Sequence, residues 1–213
     1  EIQAEKMYQK SDYSIYPGID RSSSSTTPVS DFKLRYNHVP SDKFTRPGQW
    51  ISWEFDVEQS GFYKIAARFK QNARDGGYVS RRIVLDGEVP FKEAEAIRFY
   101  YDRDWQNGCL GGDLLFYLSE GRHVLEMHVV LGDMASPVSR TEDLLLELNS
   151  CYREIVMVTG VNPDQFRDYY FEDIIPDTLE KLAACNKELK QISATLESQV
   201  EGASGSFTSS FKK

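Results

Sequence analysis

The sequence predicts a mainly β protein, a jelly-roll β-sandwich followed by a helical region of two to three helices. Short apolar–polar alternations separated by turn residues fill the chain to about residue 135. After Pro137 the apolar period becomes helical, and a long helix with leucines at seven-residue intervals follows Pro176. The predicted domains are a β-sandwich over residues 1–136, a helical insertion or appendage over 137–201, and a disordered tail over 202–213.

The strands are predicted from runs in which apolar and polar residues alternate. These runs are Trp50–Val57, Phe62–Phe69, Val79–Leu85, Leu114–Leu118 and Arg122–Leu131. The first two runs predict one antiparallel hairpin, and the last two predict another. Asp86–Gly87 is typical of a tight turn. Trp53 falls on the apolar face of its strand and is predicted to be core, and Trp50 at the entrance of that strand is predicted to be structural.

The helices are predicted from capping residues and from the helical spacing of apolar residues. Thr141 is expected to cap a helix that ends near Gly160, and Asn162–Pro163 and Pro176 are each expected to begin another. The last helix, to about residue 201, carries Leu182, Cys185, Leu189, Ile192 and Leu196 on one seam. Such a seam predicts a partner helix, either within a bundle or in another chain.

Charge and composition exclude several classes of protein. Lys and Arg total 25 against 33 Asp and Glu, a net charge of −8, so nucleic acid is not an expected partner. No stretch approaches the roughly 18 apolar residues that a membrane-spanning helix needs. Cys109, Cys151 and Cys185 lie too far apart for a zinc motif and are expected to be mostly buried free thiols.

Several segments occur in the order seen in a known class of module. They are Ile2–Glu5, Pro47–Ile65, Ile83–Gly87, Trp105 and Glu120–Val124. In this order, residues 1 to 135 resemble carbohydrate-binding modules of the family 6 and family 35 type, which are galactose-binding-like β-sandwiches. These modules usually end on an Ile-Asp-Tyr-like strand that has no match after Ala135. We therefore expect the helical region to be an insertion, with the closing strand beyond Lys213, or else that strand to be lost.

The whole chain is also similar to a module of large secreted solute-binding lipoproteins from Gram-positive sugar ABC importers. The segments that carry this likeness are Pro90–Phe99, Val129–Ala135 and Ile155–Val161. The resemblance implies a non-catalytic carbohydrate-binding module of a secreted or cell-surface protein, linked to sugar capture or uptake. The alternative is a structural or interaction domain that binds other domains of a longer parent or a helical partner, with no glycan ligand.

The expected ligand is an oligo- or polysaccharide, which aromatic faces and hydrogen-bonding side chains recognise together. The resemblance implies that Trp105 stacks on sugar, although a tryptophan at this position can equally fill the end of the sandwich as core. Further candidates are Tyr78, Asn72, Tyr101 and Arg81.

The resemblance also implies a structural calcium ion, for which Glu5 is the one ligand that can be named. The sequence holds no nucleophile elbow, phosphate loop or metal-hydrolase motif, so we expect no catalysis.

Overall fold

A computed structural model describes residues 1–23, 26–28, 30, 32–73 and 77–199. The chain divides into two compact units, Glu1–Gly132 and Asp133–Lys213. The boundary predicted between residues 136 and 137 falls a few residues after this division. The predicted tail over 202–213 lies outside the described residues. Within the described ranges, no helix is long and apolar enough to cross a membrane.

The first unit is a β-sandwich, called here the sandwich unit. Its strands are β1 (Gln9–Lys10), β2 (Trp50–Val57), β3 (Gly61–Tyr63), β4 (Ala66–Phe69), β5 (Tyr78–Leu85), β6 (Ile97–Tyr100), β7 (Gln106–Cys109), β8 (Phe116–Leu118) and β9 (Gly121–Val130). A five-stranded antiparallel sheet has the order β1-β2-β9-β5-β6, while β3 pairs with β8 and β4 pairs with β7.

The core is built from the apolar positions of the alternating strands. Ile51 and Trp53 of β2, Ile83 of β5 and Leu125 of β9 point inward from the large sheet and belong to one buried cluster with Phe116 of β8. Phe69 of β4 packs against the same cluster. The prediction that Trp53 is core is confirmed, since it is 7% exposed and its indole Nε1 donates to the carbonyl of Ala4 at 3.0 Å.

Both predicted hairpins are wrong, although the strands themselves are present. β2 pairs with β1 and β9, and β3 pairs with β8, so β2 and β3 lie in different sheets, as do β8 and β9. The run Phe62–Phe69 is also divided between β3 and β4, which pair with different partners. Alternation fixes which side of a strand is apolar, but it does not say which strand lies beside it. The tight turn is confirmed, because Asp86 and Gly87 both have positive φ, at 52° and 88°.

The second unit, called here the helical unit, contains α1 (Ala135–Thr159), α2 (Phe171–Ile174) and α3 (Pro176–Gln199). Gly160 ends α1 with a φ of 75°, and Pro176 begins α3, as predicted. Thr141 does not cap α1; it lies inside the helix, where its hydroxyl donates to the carbonyl of Pro137 at 2.8 Å. Asn162–Pro163 does not begin a helix either, since the chain stays irregular until α2.

The leucine seam of α3 packs inside the helical unit. Cys185, Ile192 and Leu196 form a buried cluster with Leu144 of α1, joined by Leu148 and Leu189. The sequence predicted a partner helix for this seam either within a bundle or in another chain. The structure shows a partner within the same chain, helix α1. Cys151 and Cys185 are buried free thiols as expected, but Cys109 is exposed at the end of β7.

Candidate functional site

Trp105 lies in the loop between β6 and β7, and its indole is half-buried. The indole Nε1 donates a hydrogen bond to Oδ2 of Asp20 at 2.5 Å. The guanidinium carbon of Arg68 lies 5.7 Å from the centre of the indole ring, a cation–π arrangement. The His38 ring meets the indole edge-on, with 6.1 Å between centroids. These contacts hold the indole in one orientation while part of its surface reaches solvent.

The N-terminal segment that supplies Asp20 and His38 is fixed by a reciprocal pair of hydrogen bonds. The buried amide of Asn37 donates to the carbonyl of Asp20 at 2.7 Å, and its oxygen accepts the backbone N–H of Asp20 at 2.8 Å. Gly18 N–H donates to the carbonyl of His38 at 2.9 Å. A Cβ on Gly18 would lie 2.5 Å from Pro40 Cγ, so only glycine fits this crossing without displacement.

The Asp20 carboxylate is a charged acceptor beside the indole. Burial raises the pKa of Asp20, but hydrogen bonds from the backbone N–H and hydroxyl of Ser22 and from Trp105 outweigh burial and lower the pKa. The group is therefore ionised near neutral pH and can accept hydroxyl donors. A glycosidase general acid needs the opposite shift, a raised pKa.

Two loops that carry predicted site residues are joined by backbone hydrogen bonds. Tyr101 N–H donates to the carbonyl of Gly77 at 2.9 Å, and Asp102 N–H donates to the carbonyl of Gln71 at 2.9 Å. Asn72 is exposed on the first loop, and Tyr101 is half-buried on the second. The second loop continues directly to Trp105. We call residues 71–73 and 77 with residues 101–105 the rim loops.

Tyr78 begins β5 immediately after the first rim loop. Its ring lies 5.8 Å from that of Tyr100, its partner on β6, and the Arg98 guanidinium lies 4.9 Å from the centre of the Tyr78 ring. These residues occupy the outer side of the five-stranded sheet, because Val79 and Ile83 occupy the core side. Tyr78 is therefore next to the first rim loop in the sequence, but its ring lies with Tyr100 and Arg98 on the outer side of the sheet.

Arg81 is not brought to the rim loops. It shares the core side of β5 with Val79 and Ile83, and its guanidinium donates to the carbonyls of Ser80 at 2.9 Å and Phe44 at 3.2 Å. The Phe44 ring lies 5.0 Å below it. Burial lowers the pKa of Arg81 to about 10. These contacts give Arg81 a packing role, which alternation along β5 already required once Ile83 was placed in the core.

Sequence reasoning did not identify three of the groups that surround Trp105, namely Asp20, Arg68 and His38. Asp20 lies 85 residues from Trp105 in the chain, and no motif links them. Arg68 falls on the polar side of its predicted strand, which marks it as accessible but does not reveal its partner. Only the pairing of β4 with β7, which sets Arg68 opposite Asn107, brings it near the indole.

The calcium expectation at Glu5 remains a prediction. Glu5 is half-buried, and one of its carboxylate oxygens is buried with no hydrogen-bond partner, which suits a cation ligand. The described residues contain no group of three His, Cys, Asp or Glu side chains able to hold a metal. A calcium ion at Glu5 would therefore take most of its six to eight oxygens from elsewhere, such as backbone carbonyls and water.

One group in the sandwich unit has the residue types of a catalytic triad. His123 Nδ1 lies 2.6 Å from Oδ2 of Asp86, and its Nε2 lies 3.4 Å from the hydroxyl of Ser119. The same Nε2 lies 2.8 Å from the carbonyl oxygen of Ser119, an acceptor to which it must donate. A nitrogen that donates to a carbonyl cannot take a proton from the hydroxyl, so this arrangement orients two turns and lacks a general base.

Fold and site together define a β-sandwich with an aromatic–polar site at its rim loops, in one chain with a helical unit. The helical region matches a family model described as "Bacterial solute-binding protein, 4-helix bundle domain" over residues 137–212. The match covers about a third of the chain and accounts for the helical unit alone. No curated protein matches the sequence.

Solved structures similar to this chain include carbohydrate-binding modules. A family 35 carbohydrate binding module from Clostridium thermocellum is 16% identical with a TM-score of 0.40, covering 55% of this chain and 78% of that one. A cycloisomaltooligosaccharide glucanotransferase from Paenibacillus sp., complexed with cycloisomaltoheptaose, is 17% identical with a TM-score of 0.47. The alignment covers 62% of this chain but 16% of that enzyme, well under two thirds of its length.

A further similar structure is the Podospora anserina GH26-CBM35 β-(1,4)-mannanase, 14% identical with a TM-score of 0.42, covering 61% of this chain and 24% of that one. Family 35 modules, to which the sequence shows a resemblance, are thus among the similar structures, and the helical region matches a solute-binding protein domain. The β-sandwich itself follows from the strand order and the buried cluster described above.

Proposed function

We propose that this chain is a non-catalytic carbohydrate-binding module that holds an oligo- or polysaccharide at the rim loops. The observation that carries the proposal is the half-buried Trp105 indole, locked by Asp20, Arg68 and His38. A sugar ring offers C–H groups to an aromatic surface and hydroxyl groups to polar neighbours. A site that is already ordered avoids much of the entropy cost of binding.

The polar groups of the proposed site cover both hydrogen-bonding roles. The Asp20 carboxylate accepts, the Arg68 guanidinium donates, and the amide of Asn72 on the first rim loop does both. Tyr101 adds a hydroxyl on the second rim loop, where Arg103 Nε donates to it at 3.4 Å. This mixture of a partly open ring with donors and acceptors is typical of saccharide recognition and requires no bound metal.

The setting that we propose is a secreted or cell-surface solute-binding protein in which the module contributes to sugar capture or uptake. The match of the helical unit to a solute-binding protein domain supports this setting. A second candidate function is a purely structural or interaction domain without a glycan ligand. It is favoured by the exposed apolar side chains of α1, of which Leu145, Leu146 and Tyr152 are more than half exposed.

Affinity electrophoresis in gels containing soluble polysaccharides tests the proposal and separates the two candidates. Wild-type protein should be retarded by at least one polysaccharide, and Trp105→Ala should lose most of that retardation, about tenfold or more in affinity. Asp20→Asn should weaken it less, because the amide keeps one acceptor. The matched control is Trp50→Ala, which removes a half-buried tryptophan stacked on His128 on the outer side of the large sheet.

Retardation that is equal in Trp105→Ala and wild type would place the site elsewhere on the module. No retardation of the wild type by any glycan, in gels or on a glycan array, would favour the interaction function. Hydrolysis of chromogenic glycosides by the wild type would contradict the non-catalytic assignment.

A further inference from the structure

Residues 32–36, immediately before Asn37 and His38, expose a large amount of apolar surface. Phe32 is 97% exposed, Leu34 is 71% exposed and Tyr36 is 58% exposed. Three such side chains within five residues concentrate exposed apolar groups in one short segment, and exposed apolar surface of this kind marks binding regions in soluble proteins. We call residues 32–36 the aromatic arm.

The aromatic arm is attached to the rim site at its C-terminal end. Asn37 is 8% exposed and bonded twice to Asp20, whose carboxylate accepts the Trp105 indole N–H. His38 follows at once and contacts the edge of that indole. The position of the arm is therefore set at one end by the same contacts that orient Trp105.

The side chains from Leu34 to His38 alternate along the backbone. Residues 34–37 run without a turn or bend, and His38 forms an antiparallel bridge with Gly18. Residues two apart in an extended segment point to the same side. Tyr36 and Leu34 therefore continue the side that carries His38 toward Trp105, and the row extends about 13 Å from His38 to Leu34.

We propose that the aromatic arm binds further sugar units of an oligosaccharide whose first unit lies on Trp105. This inference rests on the proposed function and specifies its substrate class as a linear chain of several units, in contrast to a single terminal sugar. Tyr36 supplies a ring for stacking next to the rim site, and Phe32 supplies a second ring further out.

Isothermal titration with an oligosaccharide ladder tests the inference. The ladder, from disaccharide to hexasaccharide, is prepared from the polysaccharide that retards the wild type. Wild-type affinity should rise with chain length, and Tyr36→Ala should bind the hexasaccharide about three- to tenfold more weakly while binding the disaccharide as the wild type does. Tyr36→Phe keeps the ring and should bind the hexasaccharide like the wild type. The matched control is Tyr117→Ala, because Tyr117 is 59% exposed on β8.

The outcomes separate this inference from the proposed function. A wild type that binds no member of the ladder contradicts the proposed function itself. A wild type that binds every member equally, or a Tyr36→Ala variant with unchanged hexasaccharide affinity, overturns the role of the arm while leaving the Trp105 site in place. Equal weakening for disaccharide and hexasaccharide would also overturn it, because the arm would then only support the rim site.

Discussion

The sandwich unit and the helical unit are held together by different kinds of contact. In the sandwich unit, polar side chains far apart in sequence meet at fixed points, such as Asp20 with Trp105 and Asp86 with His123. In the helical unit, one apolar seam joins α1 to α3, and the ion pairs between these two helices are partly exposed. Arg140 and Glu188, for example, are 2.9 Å apart with side chains 37% and 40% exposed. Exposed pairs of this kind contribute little, so the seam carries the stability of the helical unit.

Charge is distributed unequally between the units. Residues 133–213 contain 14 acidic and 8 basic side chains, whereas residues 1–132 contain 19 and 17. Most of the net charge of −8 therefore lies in the helical unit. The sandwich unit, which carries the candidate site, is nearly neutral. This difference shows that a whole-chain net charge describes neither unit well, and that the sandwich has no strong field to repel or attract a charged ligand.

The largest expected effect comes from truncating the seam. Ile192 is fully buried in the helical cluster, and Ile192→Ala should lower the free energy of unfolding of the helical unit by about 3 kcal/mol. All three tryptophans lie in the sandwich unit, so their fluorescence reports its unfolding, while circular dichroism at the helical minimum reports the helices. Ile192→Ala should lower the unfolding midpoint measured by circular dichroism and leave the unfolding midpoint measured by fluorescence unchanged.

Ile83→Ala is the matched control, because Ile83 is equally buried in the sandwich core. It should lower the free energy of unfolding of the sandwich unit by a similar amount, which would be seen as a lower unfolding midpoint by fluorescence. If both variants lower both midpoints together, the two units unfold as one and do not have separate sources of stability.

A smaller effect is expected at His123, through pH. The hydrogen bond to Asp86 and that to the Ser119 carbonyl raise the pKa of His123 above its ordinary value of 6.5, because both ring nitrogens face acceptors. A raised folded-state pKa means that this stabilisation is complete below the ordinary value and is lost as pH rises through the folded-state value. The unfolding midpoint measured by fluorescence should therefore decrease as the pH rises from mildly acidic to mildly alkaline values.

Asp86→Asn tests the source of that pH dependence. Asparagine tolerates the positive φ of 52° and keeps an acceptor for the Val124 N–H, which Asp86 Oδ1 accepts at 2.8 Å. The variant should lose about 1 kcal/mol at mildly acidic pH and show a flatter pH profile. A profile as steep as that of the wild type would show that another group causes the dependence.

An effect of a similar, small size is expected from calcium at Glu5. If calcium binds as in extracellular modules, with dissociation constants near 10⁻⁴–10⁻³ M, a few millimolar calcium should stabilise the sandwich unit by about 1–2 kcal/mol. The fluorescence midpoint should rise with calcium chloride, fall back with a chelator and stay constant in Glu5→Gln. Magnesium chloride at the same concentration controls for ionic strength. An equal response in Glu5→Gln would show that the ion binds elsewhere.

Part of the candidate site was predictable from the sequence, because some of its residues belong to recognisable local patterns. Trp105, Tyr101 and Asn72 stand in segments rich in aromatic and turn residues, and the structure joins their loops. Asp20 and His38 stand in no such pattern, because their place beside Trp105 depends on the crossing of Gly18 with His38. For Arg81 the residue type suggested a ligand contact, whereas the structure places it on the core side of β5, where it contacts Phe44.

The sequence by itself determined several of the elements, namely most of the alternating strands, the Asp86–Gly87 turn, the start of α3 at Pro176 and the seam that α3 buries. Those features depend on backbone geometry and on side chains a few residues apart, which the sequence shows directly. Only the tertiary structure decided that β2 pairs with β9, that Cys109 faces solvent and that Asp20 reaches Trp105. Strand partners and long-range contacts depend on which arrangement of the whole chain buries the apolar sides of all strands at once, and no local pattern contains that information.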